Sequence, residues 1–141
     1  MATYCHLICL CKERIVFEYL VLNEHQAYMW NREIRVEVDG DSIRYRRKGN
    51  EYGFPRDMVL EGTYKGDGSA FLRKLESLDV SRWSDAYLEP ALEGYGWNLR
   101  YKEVGKPCKK TIGFNCSPER FHEFLDLICS ISAPEQNNKA V

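Results

Sequence analysis

The chain opens with two dense apolar runs separated by a charged triplet, Lys12, Glu13 and Arg14. Runs 4–11 and 15–22 are rich in Ile, Val, Phe, Tyr and Leu, which predicts two strands. In the first, Cys5, Leu7, Cys9 and Cys11 alternate with His6, Ile8 and Leu10, the two-sided pattern of a strand inside a sheet. Residues 33–47 predict a hairpin, because Asp39-Gly40 suits a two-residue turn. Setting Val38 opposite Asp41 pairs Val36 with Ile43 and Ile34 with Tyr45 on one face, with Glu33 against Arg46 on the other. Residues 58–64 predict a further strand. The polar turn 65–69 then leads into a helix over 70–78, with Phe71, Leu72, Leu75 and Leu78 at helical spacing and Ser69 or Asp67 as N-cap. Pro90 limits any helix in 83–93, which reads as irregular.

Further on, Trp97, Leu99 and Tyr101 alternate with Asn98, Arg100 and Lys102, and a turn at Gly105-Lys106 sets Leu99 opposite Ile112 and Trp97 opposite Phe114. Ser117-Pro118-Glu119 combines a capping hydroxyl, a proline suited to the first helical position and a carboxylate at the positive end of the dipole. The stripe Phe121, Phe124, Leu125 and Ile128 continues that helix until Pro134 stops it. The order of elements predicts an α+β fold, a mainly antiparallel sheet of about six to seven strands with two helices packed on one face. The expected organisation is one domain over 1–133 and a flexible tail over 134–141.

The string Glu93-Gly94-Tyr95-Gly96-Trp97-Asn98-Leu99-Arg100-Tyr101, with Ile112-Gly113-Phe114-Asn115-Cys116-Ser117-Pro118 and Phe121, resembles a pattern in small bacterial proteins. In those, an acidic-Gly turn precedes a Trp strand, and a Gly-x-Asn-x-x-Pro turn leads to a final helix carrying Phe. The likeness covers the C-terminal third. The acidic-Gly turn is extended here by Tyr95-Gly96, and Ser117 stands where an aromatic usually precedes the proline. The resemblance implies this hairpin, turn and helix and a bacterial or phage origin, with no activity attached.

Composition narrows the function classes. Of 141 residues 44% are hydrophobic, 13% aromatic and 29% charged, the profile of a folded domain and not of a disordered chain or coiled coil. The net charge of −1 provides no global field toward nucleic acid or an acidic membrane, so a charged partner must be met by a local patch. Six cysteines are even in number, but no basic leader precedes them and no run of about 18 apolar residues is present. A reducing cytoplasm with free thiols is the expected setting.

Candidate chemistry is sparse. Cys5, His6, Cys9 and Cys11, completed by Cys108 or Cys116, hold soft ligands, yet Cys-x-x-x-Cys-x-Cys on a strand spreads its thiols, unlike a zinc knuckle. They read as small hydrophobes, with no metal and no cofactor expected. Cys116, close to a helix start, is the best-placed nucleophile, with His122, His25 or His6 as possible bases. Lys65-Gly66-Asp67-Gly68-Ser69 lacks phosphate-loop spacing, and Glu37, Asp39 and Asp41 lack the further oxygens of a calcium loop. Arg44, Arg46, Arg47, Lys48 and Arg56, interleaved with Tyr45, Tyr52 and Phe54, form the marked basic stretch and are the nucleic-acid-binding candidates. On a strand, however, Arg44 and Arg46 point away from Tyr45 and Arg47. Tyr28, Trp30, Trp83, Tyr87 and Tyr95 are the candidate anchors of a protein interface, where Trp and Tyr carry most binding energy.

The sequence therefore points to a non-enzymatic protein-binding module of immunity, inhibitor or adaptor type, without membrane attachment. Homodimerisation through a sheet edge is a further expectation. Nucleic-acid binding through the arm 44–56 is the rival, and a Cys- or metal-dependent enzyme stands third.

Overall fold

A computed structural model describes residues 16–26, 29–50 and 58–132. Their strands are β1 (Phe17–Gln26), β2 (Trp30–Asp39), β3 (Ser42–Asn50), β4 (Met58–Thr63), β5 (Ala86–Leu88), β6 (Tyr95–Glu103) and β7 (Lys109–Phe114). The helices are α1 (Gly68–Ser77) and α2 (Phe121–Ile131). One sheet runs in the order β4-β3-β2-β1-β6-β7-β5, antiparallel except for the β5–β7 pair. The α+β expectation holds. The strand expected over 4–11 and the tail 134–141 lie outside the described residues, and the strand expected over 15–22 is β1.

Alternation along the strands decides what is inside. Leu20 and Leu22, Ile34 and Val36, Ile43, Trp97, Leu99 and Tyr101 project from one face and pack with Phe71 and Leu75 of α1 and Phe121, Phe124 and Ile128 of α2. Both helices thus cover the same face, and each is closed at its C-terminus by an arginine from elsewhere. Arg120 donates to the Ser77 carbonyl at 2.8 Å, and Arg47 donates to the Ser132 carbonyl at 3.3 Å and its hydroxyl at 3.5 Å. A guanidinium in that position satisfies end carbonyls and complements the negative end of the dipole. Arg120 also forks onto Glu123, at 2.7 and 3.1 Å, and Lys74 reaches the same carboxylate at 3.2 Å. These donors, Arg120 first, hold the exposed Glu123 carboxyl down to about 2. The α1–α2 link therefore persists through mild acid and is lost only as the pH falls through that value.

Four local expectations are corrected. In the first hairpin the loop is Gly40-Asp41, not Asp39-Gly40: Asp39 pairs Ser42, Val38 pairs Ile43 and Val36 pairs Tyr45. Gly40 takes φ 65°, the glycine-first arrangement of a type II′ loop, and because the register moves by an even step every side chain keeps its expected face. In the second hairpin Leu99 pairs Thr111 and Trp97 pairs Gly113, a one-residue step that turns β7 over. Thr111 enters the core with its hydroxyl lacking a partner among the described residues, and Ile112 emerges at 48% exposure. The cause is the Trp97 indole, which occupies the space a Cβ at position 113 would need. The 83–93 region is not wholly irregular, since Ala86–Leu88 forms β5 beside β7, just after a 3₁₀ turn over Val80–Arg82. Finally, Ser117 caps nothing: the chain makes a turn in which Phe121 N–H donates to the Pro118 carbonyl at 3.1 Å, and α2 starts at Phe121. Asp67, one of the two expected caps of α1, accepts from Ala70 N–H at 3.2 Å.

The residues carrying the C-terminal resemblance form one mechanical unit. Asn115 sits in the left-handed region at φ 55°, and its side-chain oxygen accepts from Tyr95 N–H at 2.8 Å. Its amide nitrogen donates to the Glu93 carbonyl at 3.3 Å, and its amide group fills the space above Gly94. The Trp97 indole N–H donates to the Cys116 carbonyl at 3.1 Å. Each glycine of the motif is thus a place where a neighbouring side chain lies directly on the backbone.

Candidate binding face

The helices leave the other face of the sheet without any described element upon it. Antiparallel sheets tolerate water on one side, so the interest lies in what the register places there. Reading across β4, β3, β2, β1, β6 and β7, one row runs Glu61, Arg46, Arg35, Val21, Arg100, Lys110. The row toward the Asp39 end runs Thr63, Arg44, Glu37, Tyr19, Lys102, and the row on the other side runs Val59, Lys48, Glu33, Asn23, Asn98, Ile112.

The central row breaks a rule of sheet pairing. Arg46 stands directly opposite Arg35, and Lys110 directly opposite Arg100. Like charges in such positions weaken a sheet. Partial relief comes from Glu37, 2.9 Å from Arg35, and Glu61, 3.8 Å from Arg46. Among the described residues no ion pair relieves Arg100 or Lys110. Arg35 also lies over the Tyr19 ring at 4.9 Å, a cation–π contact. Val21, between Arg35 and Arg100, is only 6% exposed although no described element covers it, which fits the long aliphatic stems of its neighbours lying across it. Between Arg35, Arg44, Arg46, Glu37, Glu61 and Tyr45 lies a depression of about 230 Å³.

A second group sits on the helix side, where β1 meets β2 and β6. The buried Glu24 carboxylate pairs with the Arg32 guanidinium and accepts from the Tyr95 hydroxyl, while Arg32 lies over the Trp30 ring at 5.5 Å. Burial first, then the Glu24 charge, raises Tyr95 far above the ordinary tyrosine range, so its hydroxyl is a fixed donor. The group joins β1, β2 and the start of β6.

The structure separates the candidates the sequence grouped together. Of the aromatic anchors, Trp83 is buried against Trp97, Phe121 and Phe124. Tyr87 is half-buried, stacked on Trp97, with its oxygen accepting from Ser84 N–H at 2.8 Å. Tyr95 and Trp30 belong to the Glu24 group, and Tyr28 lies outside the described residues. The four described rings pack on the helix side. Of the basic arm, Arg44, Arg46 and Lys48 share the uncovered face, Arg47 is buried beneath the end of α2, and Arg56 with Tyr52 and Phe54 lies outside the described residues. Sequence reasoning missed Arg35, Arg100 and Lys110 as partners of that arm. The alternation of β6 marks Arg100 as outward-facing, but only the order β2-β1-β6-β7 sets it in line with Arg35.

Cys108, Cys116 and Cys129 are free thiols, and Cys5, Cys9 and Cys11 lie outside the described residues. Cys116 takes part through its carbonyl, and among the described residues no hydrogen bond joins its thiol to a histidine. No group of three His, Cys, Asp or Glu among the described residues is placed to hold a metal ion, and no described helix is long and apolar enough to cross a membrane. Glu37 and Asp39 of the acidic trio are engaged by Arg35 and Arg44. No protein family, curated protein or solved structure matches the chain.

Proposed function

We propose that the protein is a non-enzymatic binding module that acts by occupying a protein partner, and that the uncovered sheet face is its working surface. One observation carries the reading: two directly opposed like-charge pairs, Arg35 with Arg46 and Arg100 with Lys110, stand in one row of that face. An arrangement that costs sheet stability without a local gain marks a place where function competes with folding. The roles that fit are an immunity protein, an inhibitor or an adaptor of bacterial or phage origin, working in a reducing cytoplasm. Homodimerisation along the outer edge of β4 leaves the face open and is compatible with this role. The nucleic-acid reading retains Arg44, Arg46 and Lys48 but loses Arg47 to the core.

Co-purification from the native cell tests the proposal. Asn98 lies on the face beside Asn23, with the two amides 3.5 Å apart, so Asn98→Trp adds bulk there without changing charge. The wild type is expected to retain one protein in a fixed ratio, and Asn98→Trp, still folded by circular dichroism, to lose it. Retention by the variant, or recovery of nucleic acid instead of protein, would contradict the reading.

A further inference from the structure

The central row has a spacing as well as a sign. Its positions Arg46, Arg35, Val21, Arg100 and Lys110 lie on five neighbouring strands, β3, β2, β1, β6 and β7. Strands about 4.8 Å apart make the row about 19 Å long. An α-helix advances about 5.4 Å per turn, so a helix lying across the strands presents about one turn to each. The order along the row is cation, cation, apolar, cation, cation.

From this we infer that the row takes an acidic helical segment of a protein partner, one carboxylate per turn against each cation and a small apolar residue over the arginine stems that cross Val21. The inference rests on the face being the working surface and names what that surface binds. Charge complementarity is its basis, and it is greatest on β6 and β7, where no described ion pair draws on Arg100 or Lys110. The flanking rows decide between polyanions. Glu33 and Glu37 lie two residues to either side of Arg35 on β2, and Glu61 closes the row beyond Arg46. A nucleic acid crossing this face brings phosphates against those carboxylates, whereas a protein helix meets the row along one stripe and sets neutral or basic side chains to either side.

Fluorescence anisotropy with a labelled Glu-Ala-Ala-Ala repeat peptide tests this on the full chain, with a Lys-Ala-Ala-Ala repeat and an oligothymidylate of equal length beside it. The acidic peptide is expected to bind, and to bind less tightly as salt rises. Arg35→Glu combined with Arg100→Glu is expected to weaken it by about tenfold or more, while Lys65→Glu combined with Arg73→Glu, on and beside α1, changes it by less than about twofold. Absence of peptide binding, indifference to the Arg35 and Arg100 reversal, or tighter binding of the oligothymidylate would overturn the inference. So would a wild-type dimer in sedimentation that the reversal dissociates, since a second copy would then occupy the row. If the peptide fails while Asn98→Trp still releases the native partner, the acidic-helix inference falls and the face remains the working surface. If the peptide fails and Asn98→Trp retains the partner, both fall.

Discussion

Gly113→Val is expected to destabilise the protein by about 3 kcal/mol, at the upper end of overpacking costs, seen as a lower denaturant midpoint with an unchanged slope. A Cβ at this position enters the Trp97 indole, and that ring cannot step aside cheaply. It is 2% exposed, tied to the Cys116 carbonyl at 3.1 Å, and packed with its centroid 4.4 Å from that of Phe121. The neighbouring position supplies the contrast. Ile112→Ala, on the uncovered face, is expected to cost no more than about 0.5 kcal/mol, against about 2–5 kcal/mol for an isoleucine truncated in a core. A large loss at Ile112 with a small one at Gly113 would restore the register in which Ile112 faces Leu99, and with it remove Lys110 from the central row.

The second large effect belongs to Glu24. Glu24→Leu is expected to cost about 2–3 kcal/mol, because it withdraws the carboxylate from an arginine with only 14% of its side chain exposed and leaves the Tyr95 hydroxyl without its acceptor. The figure stands below that for a fully buried pair because Arg32 keeps some contact with water and has other interactions. Glu24→Gln, which keeps an acceptor for Tyr95 while losing the charge, is expected to cost about half as much. Urea unfolding of both variants measures the difference. A Glu24→Leu protein as stable as the wild type would mean that the group does not tie β1 to β2 and β6.

These two sites show where the sequence is informative and where it stops. Alternation in β2, β3 and β6 is legible because a strand that packs on a helix layer with one face only must alternate. The face of each residue in the first hairpin is therefore right even though its turn is displaced. In β7 the alternation misleads: Ile112 looks like core and Gly113 like a gap, and only the bulk of Trp97 lying on the glycine reverses them. The aromatic residues are legible as a group but not by position, since Trp83 and Tyr87 pack around Trp97 while the other face carries mainly charged and polar side chains. The basic arm was visible as a local run, whereas the row that unites Arg46 with Arg100 and Lys110 crosses strands far apart in the chain. A strand order that places β1 between β2 and β6 is a tertiary fact with no local signal. Glu24 gave none either, because one acid near the end of an apolar strand reads equally as an exposed terminus.

The claim that the uncovered face is the working surface is tested most directly by lysine acylation of the native complex, read by mass spectrometry against the free protein. Lys48 and Lys110 lie on that face, and Lys74, with 46% of its side chain exposed, lies on the helix side. The expected result is that Lys48 and Lys110 become protected in the complex while Lys74 reacts as before. Protection of Lys74 with Lys48 and Lys110 still reactive would place the partner on the helices and contradict the account.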